Sequence, residues 1–222
     1  MPRSILSLFA RKAAGTPKLR WQGPAPDLAA WYSDKDFTTD WLTRDLDSWL
    51  AALDQFKGRP AKVLDIGSYE GRSAVTFLEM LPNAHVVSMD QFAFADKELA
   101  VAVEARFDKN MEGYGERIRK IKGPAAATLD DLRKQKAAFD VIYADAGKAR
   151  DWVFALSALA WPLLKVGGVI IWDDLKWGRD KPSAERPGDA ILLFAEAFAP
   201  SLEVLHNDRQ LIARKTSEWP NL

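Results

Sequence analysis

The chain has 222 residues, of which 48% are hydrophobic and 28% are charged, values typical of a single globular domain with a sizeable core. Thirty-one basic residues balance thirty-one acidic ones, so the sequence lacks the basic excess of a dedicated nucleic-acid-binding protein. It has no cysteine, which excludes disulfide bonds and thiolate metal sites. No apolar run approaches the ~20 residues of a membrane span. We therefore expect a cytoplasmic protein that has neither a nucleic acid nor a membrane as its partner.

The N-terminal part of the sequence differs in character from the rest. Residues 1–12 have basic ends around an apolar stretch that is shorter than the ~7–15 residues of a signal-peptide core. We interpret them as a mobile or partner-docking arm, with a weak membrane-surface helix as the alternative. Residues 13–30 are rich in Ala, Gly and Pro and indicate an irregular lead-in. We expect an arm and lead-in over 1–36 and one functional domain over 37–222.

Apolar periodicity predicts the elements of this domain in chain order. A helix capped by Thr38 or Thr39 is expected to run to about residue 56. Strands are predicted at 62–66, 85–90, 117–122, 139–144 and 167–172, with helices at 71–81, 97–111, 125–136 and 150–164. A helix at 188–198 and a hairpin at 202–206 and 210–214 follow. This order predicts an α/β fold, a doubly wound and mostly parallel seven-stranded sheet with a C-terminal antiparallel hairpin.

The most informative segment is the glycine turn after the first strand, Asp65-Ile66-Gly67-Ser68-Tyr69-Glu70-Gly71. Gly67 allows the backbone to turn with a positive φ, and Gly71 lets the following helix approach the strand or a ligand closely. The N-terminus of that helix would point free N–H groups into the pocket. The G-x-x-x-G spacing lacks the glycine that makes room for a pyrophosphate in a dinucleotide site. A nucleoside ligand without phosphates suits the turn better, and a plain strand–helix turn is the alternative.

This turn resembles the first motif of class I S-adenosylmethionine (SAM)-dependent methyltransferases, and the order of the elements extends the resemblance over residues 37–215. Ligands of doubly wound sheets bind at the carboxyl ends of the strands. The resemblance implies that Asp90, which ends the second strand, accepts hydrogen bonds from both ribose hydroxyls. It also implies that Asp65 lies near the methionine ammonium, and that Glu70 is either exposed or directed at the same group.

The remaining cofactor contacts implied by the resemblance involve mainly the backbone. Ser68 and the backbones of Gly67 and Gly71 would face the carboxylate and the ribose of SAM. The segment Gly123-Pro124-Ala125-Ala126-Ala127 would form the adenine wall, with Gly123 and Ala125 as contacts. Since these residues carry no polar side chain, adenine recognition has to use backbone groups or a neighbouring residue.

Three aspartates end two neighbouring strands of the expected sheet. Asp145 follows the strand at 139–144, and Asp173 and Asp174 follow the strand at 167–172. Because adjacent strand ends lie ~5 Å apart, the carboxylates should converge, and without partners they would raise one another's pKa. A divalent cation such as Mg²⁺ bound by oxygen ligands would remove this cost. With Lys148 three positions after Asp145, the group resembles the divalent-metal-dependent O-methyltransferases of the catechol and caffeoyl-CoA types.

The resemblance implies a metal held by Asp145, Asp173 and Asp174, with Asp145 also bordering the cofactor and Lys148 as the base for the acceptor hydroxyl. Asp174 stands where that family has Asn. The chain also resembles a looser group of bacterial class I methyltransferases in which metal use is not general. In a metal-free alternative, Asp145 and Asp173 orient the acceptor, and Lys148 or Asp145 is the base. Solvated strand-end carboxylates are the remaining interpretation.

We therefore predict a SAM-dependent O-methyltransferase acting on a hydroxyl of a small molecule, with a divalent cation such as Mg²⁺ as a candidate second cofactor. A metal-free enzyme acting on a sugar or secondary-metabolite hydroxyl and a non-catalytic SAM-binding protein are the alternatives. Trp172 and Trp177 flank the acids and are candidates for the wall of an aromatic acceptor site. Four other tryptophans are expected in the core or in an interface, including that of a possible homodimer. These are Trp41, Trp49, Trp152 and Trp161.

Overall fold

The central element is a mixed β-sheet, seen in a computed structural model that describes residues 18–218. Its strands are β1 (Ala61–Ile66), β2 (Ala84–Asp90), β3 (Ile118–Lys122), β4 (Phe139–Ala144), β5 (Leu164–Trp172), β6 (Leu202–Asn207) and β7 (Leu211–Lys215). They are ordered β3-β2-β1-β4-β5-β7-β6. Strands β1 to β5 are parallel to one another, whereas β7 runs antiparallel to both β5 and β6. The predicted fold class is confirmed.

Helices cover both faces of this sheet. They are α1 (Leu28–Tyr32), α2 (Leu46–Leu53), α3 (Arg72–Met80), α4 (Lys97–Met111), α5 (Ala125–Lys134), α6 (Arg150–Ala160) and α7 (Pro187–Ala197). Alternate residues of the central strands point to opposite faces. Val63 and Tyr143 pack with the buried side chains of α2, α3 and α4, whereas Leu64 and Ile142 pack with those of α5, α6 and α7. Each face of the sheet therefore has its own apolar core.

The elements agree with the prediction except for α1, which was not predicted, for β5, which begins three residues earlier than expected, and for two further helices. The helix expected from Thr38 or Thr39 begins only with a 3₁₀ turn at Thr43–Asp45, and α2 follows. Asp40, rather than a threonine, accepts the N–H of Thr43 at 2.9 Å. The helix expected to reach residue 164 ends at Ala160, because the proline of the Trp161–Leu163 turn does not fit a helix interior.

The predictions for the N-terminal arm and for the domain boundary are not tested by the described residues. Residues 1–12, interpreted as an arm, lie outside the described residues, and the boundary after residue 36 stays a prediction. Among residues 18–218, none of the helices has both the length and the apolar character that crossing a membrane requires.

Candidate active site

A cleft of about 510 Å³ opens at the carboxyl ends of β1, β2, β3 and β4. This is the edge at which doubly wound sheets bind their ligands. Five residues singled out from the sequence line it: Gly67, Asp90, Ala125, Asp145 and Lys148. The strand order therefore brings together residues that are up to 81 positions apart in the chain, from the three segments that follow β1, β2 and β4 and the start of α5.

The two glycines of the turn make different close contacts. Gly67 has φ +91°, and a Cβ there would lie 2.3 Å from the carbonyl oxygen of Asp145, so only glycine lets β1 turn against the end of β4. Gly71 has φ +85°, and a Cβ there would lie 2.8 Å from Met111 Cε and 3.0 Å from Phe107 Cδ2. The close approach at Gly71 is thus to α4, and not to the strand or a ligand as we expected.

Asp65 is fully buried behind the turn, which corrects its predicted place beside the methionine ammonium. Its Oδ1 accepts a hydrogen bond from the Ser73 hydroxyl and its Oδ2 from the Ser88 hydroxyl, both at 2.9 Å. Burial raises the pKa of Asp65 to about 6, although the serine hydroxyls counteract it. The carboxyl group therefore links β1 to α3 and to β2 inside the protein.

Glu70 is also buried, and the expectation of an exposed or ligand-directed carboxylate is wrong. Its two oxygens accept the backbone N–H and the hydroxyl of Thr38, each at 2.7 Å. The Arg106 guanidinium lies 3.6 Å from the same carboxylate. Asn110 of α4 holds the same segment, because its side-chain amide accepts the backbone N–H of Asp36 and donates to the Asp36 carbonyl oxygen. Glu70 thus holds the segment before α2 against the glycine turn.

The Ser68 hydroxyl is directed at backbone carbonyls within the turn. It lies 3.5 Å from the carbonyl oxygen of Asp65 and 3.4 Å from that of Met89, and the residue is buried. Its side chain is therefore not aimed into the cleft. The cofactor contact that we predicted for Ser68 would have to use its backbone.

Asp90 lines the cleft and binds the backbone of two neighbouring segments. Its Oδ2 accepts the N–H of Tyr69 at 2.9 Å and its Oδ1 accepts the N–H of Phe92 at 2.8 Å. Both donors are non-glycine residues with positive φ, +49° and +44°. Such conformations cost of order 1–3 kcal/mol each, and the surrounding contacts, these bonds included, have to stabilise them. Each carboxylate oxygen retains a second acceptor position, so a ribose contact is sterically and chemically compatible with this arrangement and stays a prediction.

The predicted adenine wall lies beside Asp90. The Gly123 N–H donates to the carbonyl oxygen of Asp90 at 3.0 Å, which fixes the start of the wall. Pro124 and Ala125 then line the cleft. As the sequence indicates, this wall offers no polar side chain at these positions.

The acidic corner of the cleft is organised around a lysine. Lys148 Nζ lies 3.1 Å from Asp145 Oδ1 and also contacts the carboxylate of Asp174. Asp173 is held by other groups, since its Oδ2 accepts the Tyr143 hydroxyl at 2.6 Å and its Oδ1 accepts the N–H of Asp174. The same hydroxyl lies 3.4 Å from Asp145 Oδ2. Sequence reasoning missed Tyr143, whose only signal was its place two residues before Asp145 on a strand that ends at the site.

Burial and the charges in this corner raise the pKa values of two groups, Asp145 and Tyr143. Burial raises the pKa of Asp145 to about 7, because the attraction of Lys148 only partly offsets burial and the repulsion from Asp173. Burial and the two carboxylates raise the pKa of Tyr143 well above its ordinary value, so this hydroxyl remains a neutral donor. Asp145 can therefore exchange a proton near neutral pH while Tyr143 keeps its own.

The three aspartates do not form the metal centre that we predicted from the resemblance. Among residues 18–218, no three Asp, Glu or His side chains are gathered so that they could hold a metal ion. The physical reason is that Lys148 pairs with Asp145 and Asp174, while Asp173 is bound to Tyr143 and to the adjacent backbone. Because this donor set as arranged does not fit a divalent cation, we derive no chemical step through one.

The tryptophans are distributed differently from the prediction. Trp172 is buried and donates its indole N–H to Ser157, so it cannot wall an acceptor. Trp177 is 41% exposed, and its ring lies 5.9 Å from the Lys148 ammonium, so its place in an acceptor wall stays a prediction. Trp49 and Trp161 are buried as expected. Trp41 and Trp152 are not core residues, as described next.

Two groups of aromatic side chains line the cleft, and the sequence analysis did not predict either of them. On one side Trp41, 57% exposed, packs on Tyr69 with ring centroids 5.5 Å apart, and Phe94 meets Tyr69 edge-on at 6.0 Å. On the other side stands Trp152 of α6, which is 42% exposed. Both tryptophans were expected in the core or in an interface, because periodicity does not show which side chains lie beside a cleft.

Comparisons with known proteins agree with this geometry. Residues 64–175, half of the chain, match a family model described as a methyltransferase domain. The O-methyltransferase ankF of Aspergillus thermomutatus is 29% identical over 150 residues, which cover 67% of this chain and 59% of that protein. The chain thus spans less than two thirds of the length of this curated relative.

Solved structures share the fold at lower sequence identity. An O-methyltransferase from Bacillus cereus, solved in complex with S-adenosylhomocysteine (SAH), superposes with a TM-score of 0.57 at 18% identity, covering 98% of this chain and 92% of that one. The MycE methyltransferase of the mycinamycin biosynthetic pathway, solved with Mg, SAH and mycinamycin VI, gives 0.59 at 18% identity, covering 86% of this chain and 55% of that one. The glycine turn, the cleft and the matched family model lead to one conclusion: the chain belongs to the SAM-dependent methyltransferase family that this domain defines.

Proposed function

We propose that the protein transfers the methyl group of SAM to a hydroxyl of a small molecule, and that Asp145 and Lys148 handle the acceptor without a metal ion between them. The observation that carries this proposal is the pairing of Asp145 with Lys148 at the edge of the cleft. SAM supplies an electrophilic methyl group on a sulfonium centre. The residues that would hold it are Asp90, the backbone of the turn at Gly67, and the wall at Pro124 and Ala125.

The acceptor hydroxyl has to lose its proton as its oxygen attacks the methyl group. Asp145 suits the role of proton acceptor, because its pKa of about 7 lies close to neutral pH, where a general base is most effective. Lys148, 3.1 Å from Asp145, places a positive charge where negative charge develops on the acceptor oxygen. Tyr143, bound to Asp173, keeps the second carboxylate from turning towards the acceptor.

The family resemblance implies Lys148 as the base, and the geometry favours the other assignment. Lys148 lies in two ion pairs, so removing its proton would break both of them. The two assignments differ in the pH dependence of turnover. With Asp145 as the base, turnover rises as pH increases through about 7, and an Asp145→Asn variant loses that limb of the profile.

The first experiment measures conversion of SAM to SAH with panels of catechols, simple phenols and sugars, with EDTA or with Mg²⁺. We expect turnover by the wild type in EDTA and a loss of at least about a hundredfold in Asp145→Asn. Asp140→Asn is the matched control, because Asp140 pairs with Lys165 at the opposite end of β4. Equal turnover of Asp145→Asn and Asp140→Asn would contradict the proposed role of Asp145. Absence of turnover by the wild type with every acceptor would favour a non-catalytic SAM-binding protein.

A calorimetric titration of Mg²⁺ into SAH-saturated, metal-stripped protein tests the metal-dependent form directly. We expect no saturable signal. Saturable binding that is lost in an Asp145→Ala, Asp173→Ala double variant would overturn the metal-free proposal and direct attention to catechols and other vicinal diols. A small-molecule acceptor, a homodimer and a cytoplasmic location all stay predictions.

A further inference from the structure

The segment that leads into α1 is bound to the edge of the sheet through a histidine. Strand β6 is an edge strand, and His206 near its end is only 5% exposed. Its Nδ1 accepts the backbone N–H of Leu19 at 3.0 Å. Within the part of the chain that the structure describes, this is the one hydrogen bond that a backbone N–H of residues 18–25 donates. The position of the lead-in segment, residues 18–26, therefore depends on His206.

This hydrogen bond requires a neutral imidazole. A backbone N–H can only donate, so Nδ1 of His206 carries no proton and the ring proton is on Nε2. Protonation of Nδ1 would place a second donor against the N–H of Leu19 and would leave a positive charge in a buried position. The hydrogen bond and the charged ring therefore exclude each other.

Charged groups of both signs face His206. Asp208 in the turn after β6 and Asp45 before α2 stabilise the charged imidazole, whereas Lys18 and Arg20 of the lead-in segment destabilise it. Burial has the largest effect, and it lowers the pKa of His206 below its ordinary value of 6.5. His206 is therefore neutral at neutral pH, as the hydrogen bond to Leu19 requires.

The ion pair beside this hydrogen bond keeps its charges when the pH falls. Lys18 lies 2.8 Å from Asp208, and Lys176 contacts the same carboxylate. The two lysines hold the pKa of Asp208 well below its usual range. Histidine is the side chain whose ordinary pKa lies between pH 5 and 8. A moderate fall in pH therefore changes the charge of His206 and leaves that of Asp208 as it is.

We propose that His206 is a pH-sensitive switch, which holds residues 18–26 on the edge of the sheet while its imidazole is neutral and releases them when it is protonated. Trp21 and residues 24–26 form one side of a cavity of about 190 Å³, and Leu50 and Leu53 of α2 belong to its other side. Release therefore exposes this apolar surface of α2. The switch is independent of the methyl transfer proposed above.

Amide hydrogen exchange of the full chain at pH 7.5 and pH 5.5 measures the release. A released imidazole has its ordinary pKa of about 6.5. If the held imidazole stayed neutral throughout, the released fraction would rise about tenfold over this range, and a partly protonated held form makes the rise smaller. We expect the protection factor of the Leu19 N–H to fall by about three- to tenfold from pH 7.5 to pH 5.5.

Three variants make the test specific. His206→Asn keeps a neutral acceptor near the place of Nδ1, so it should keep the protection of Leu19 and lose its pH dependence. Any dependence that it retains comes from other groups, such as Asp65 and Asp145 with pKa values of about 6 and 7, and is subtracted. His206→Phe removes the acceptor and should lower the protection at both pH values. His85→Asn changes the other, exposed histidine and should behave like the wild type.

Nitrogen NMR of the imidazole gives a second measurement on the wild type. We expect a ring proton on Nε2 at pH 7.5 and a titration midpoint below 6.5. A proton on Nδ1 at pH 7.5 would overturn the proposal, because Nδ1 of His206 could not then accept from Leu19. Equal pH dependence of the Leu19 protection in the wild type and His206→Asn would also overturn it. So would loss of this dependence in His85→Asn, which would assign the titration to His85.

Discussion

The glycine turn after β1 and the acidic corner after β4 and β5 both present carboxylates at the carboxyl edge of one sheet, but the two regions use them differently. In the turn, Asp65 and Glu70 are buried and bound by groups of the protein itself. In the corner, Asp145 borders the open cleft and shares a lysine with Asp174. An acid in a motif can therefore stabilise the structure around a site, whereas the charged groups that we propose to act on the acceptor come from neighbouring strand ends.

The largest expected effect concerns the corner. Lys148→Met should lower turnover by about a hundred- to a thousandfold, because it removes the positive charge beside the acceptor oxygen. Stability should change by less than about 1 kcal/mol, since Lys148 is an exposed ion-pair partner. SAH affinity should stay within twofold of the wild type. Steady-state turnover, urea unfolding and calorimetry measure the three quantities.

Lys165→Met is the control for this prediction. Lys165 pairs with Asp140 at the other end of β4 and has the same exposed fraction as Lys148, 42%. It should leave turnover unchanged. Equal losses of turnover in the two variants would mean that Lys148 acts only through the stability of β4. The contrast between a structural glycine turn and a catalytic acidic corner would then be wrong.

The next effect concerns the turn and has a defined sign. The pKa of Asp65 is about 6 in the folded protein and 3.8 ordinarily, so the folded state binds more protons between these values. Stability should therefore fall as pH rises from about 4 to about 6, and the charged carboxylate should cost about 3 kcal/mol at pH 8. Asp65→Asn removes the charge and can keep the contacts with Ser73 and Ser88.

Urea unfolding of the two proteins across pH measures this cost. The free energy of unfolding of Asp65→Asn should exceed that of the wild type by up to about 3 kcal/mol at pH 8 and match it near pH 4. Asp145 contributes a slope of the same sign in both proteins, because its pKa is also raised. The Asp65 charge adds to that rise, so the difference between the proteins reports Asp65 together with its repulsion of Asp145. A lower stability of the variant at pH 8 would show that Asp65 has a cationic or ligand-facing partner after all.

A smaller effect tests the attachment of the segment before α2. Glu70→Ala removes two hydrogen bonds to Thr38 and should cost about 2 kcal/mol. Amide hydrogen exchange at residues 36–42 should become faster, because this segment loses its contact with the turn. Glu79→Ala is the control, since it removes a comparable 2.7 Å contact, that of Glu79 with Tyr114, away from the segment. Unchanged exchange in Glu70→Ala would mean that Asn110 alone holds the segment.

The sequence predicted positions along the chain well and side-chain directions poorly. Periodicity located the strands, and parallel strands place their carboxyl ends at one edge, so Asp90, Asp145 and Asp173 were correctly placed near the cleft. The direction of Asp65 depends on Ser88, 23 positions later, and that of Glu70 on Thr38, 32 positions earlier. Such long-range partners leave no local pattern in the sequence.

The arrangement of the acidic corner differs from the metal prediction for a related reason. Three strand-end carboxylates indicated a cation, and the sequence could not show that the ammonium of Lys148 reaches two of them. Nor could it show that Tyr143 engages the third. Charge balance inside a site depends on which side chains reach one another, and that is decided by the turn geometry after β4 and β5, including the positive φ of Gly147 and Asp174.

The smallest expected effect separates charge from conformation at Asp174. This residue has φ +62°, which Asn tolerates and Ala does not, so Asp174→Asn should change stability by less than about 1 kcal/mol, whereas Asp174→Ala adds a strain of about 1–2 kcal/mol. Losing the Asp174 charge leaves Lys148 paired with Asp145 alone, which lowers the pKa of Asp145. The acid limb of the pH–turnover profile should therefore move to lower pH in Asp174→Asn. A limb that stays in place would mean that Asp145 is not the group that accepts the proton, and Lys148 would regain that role.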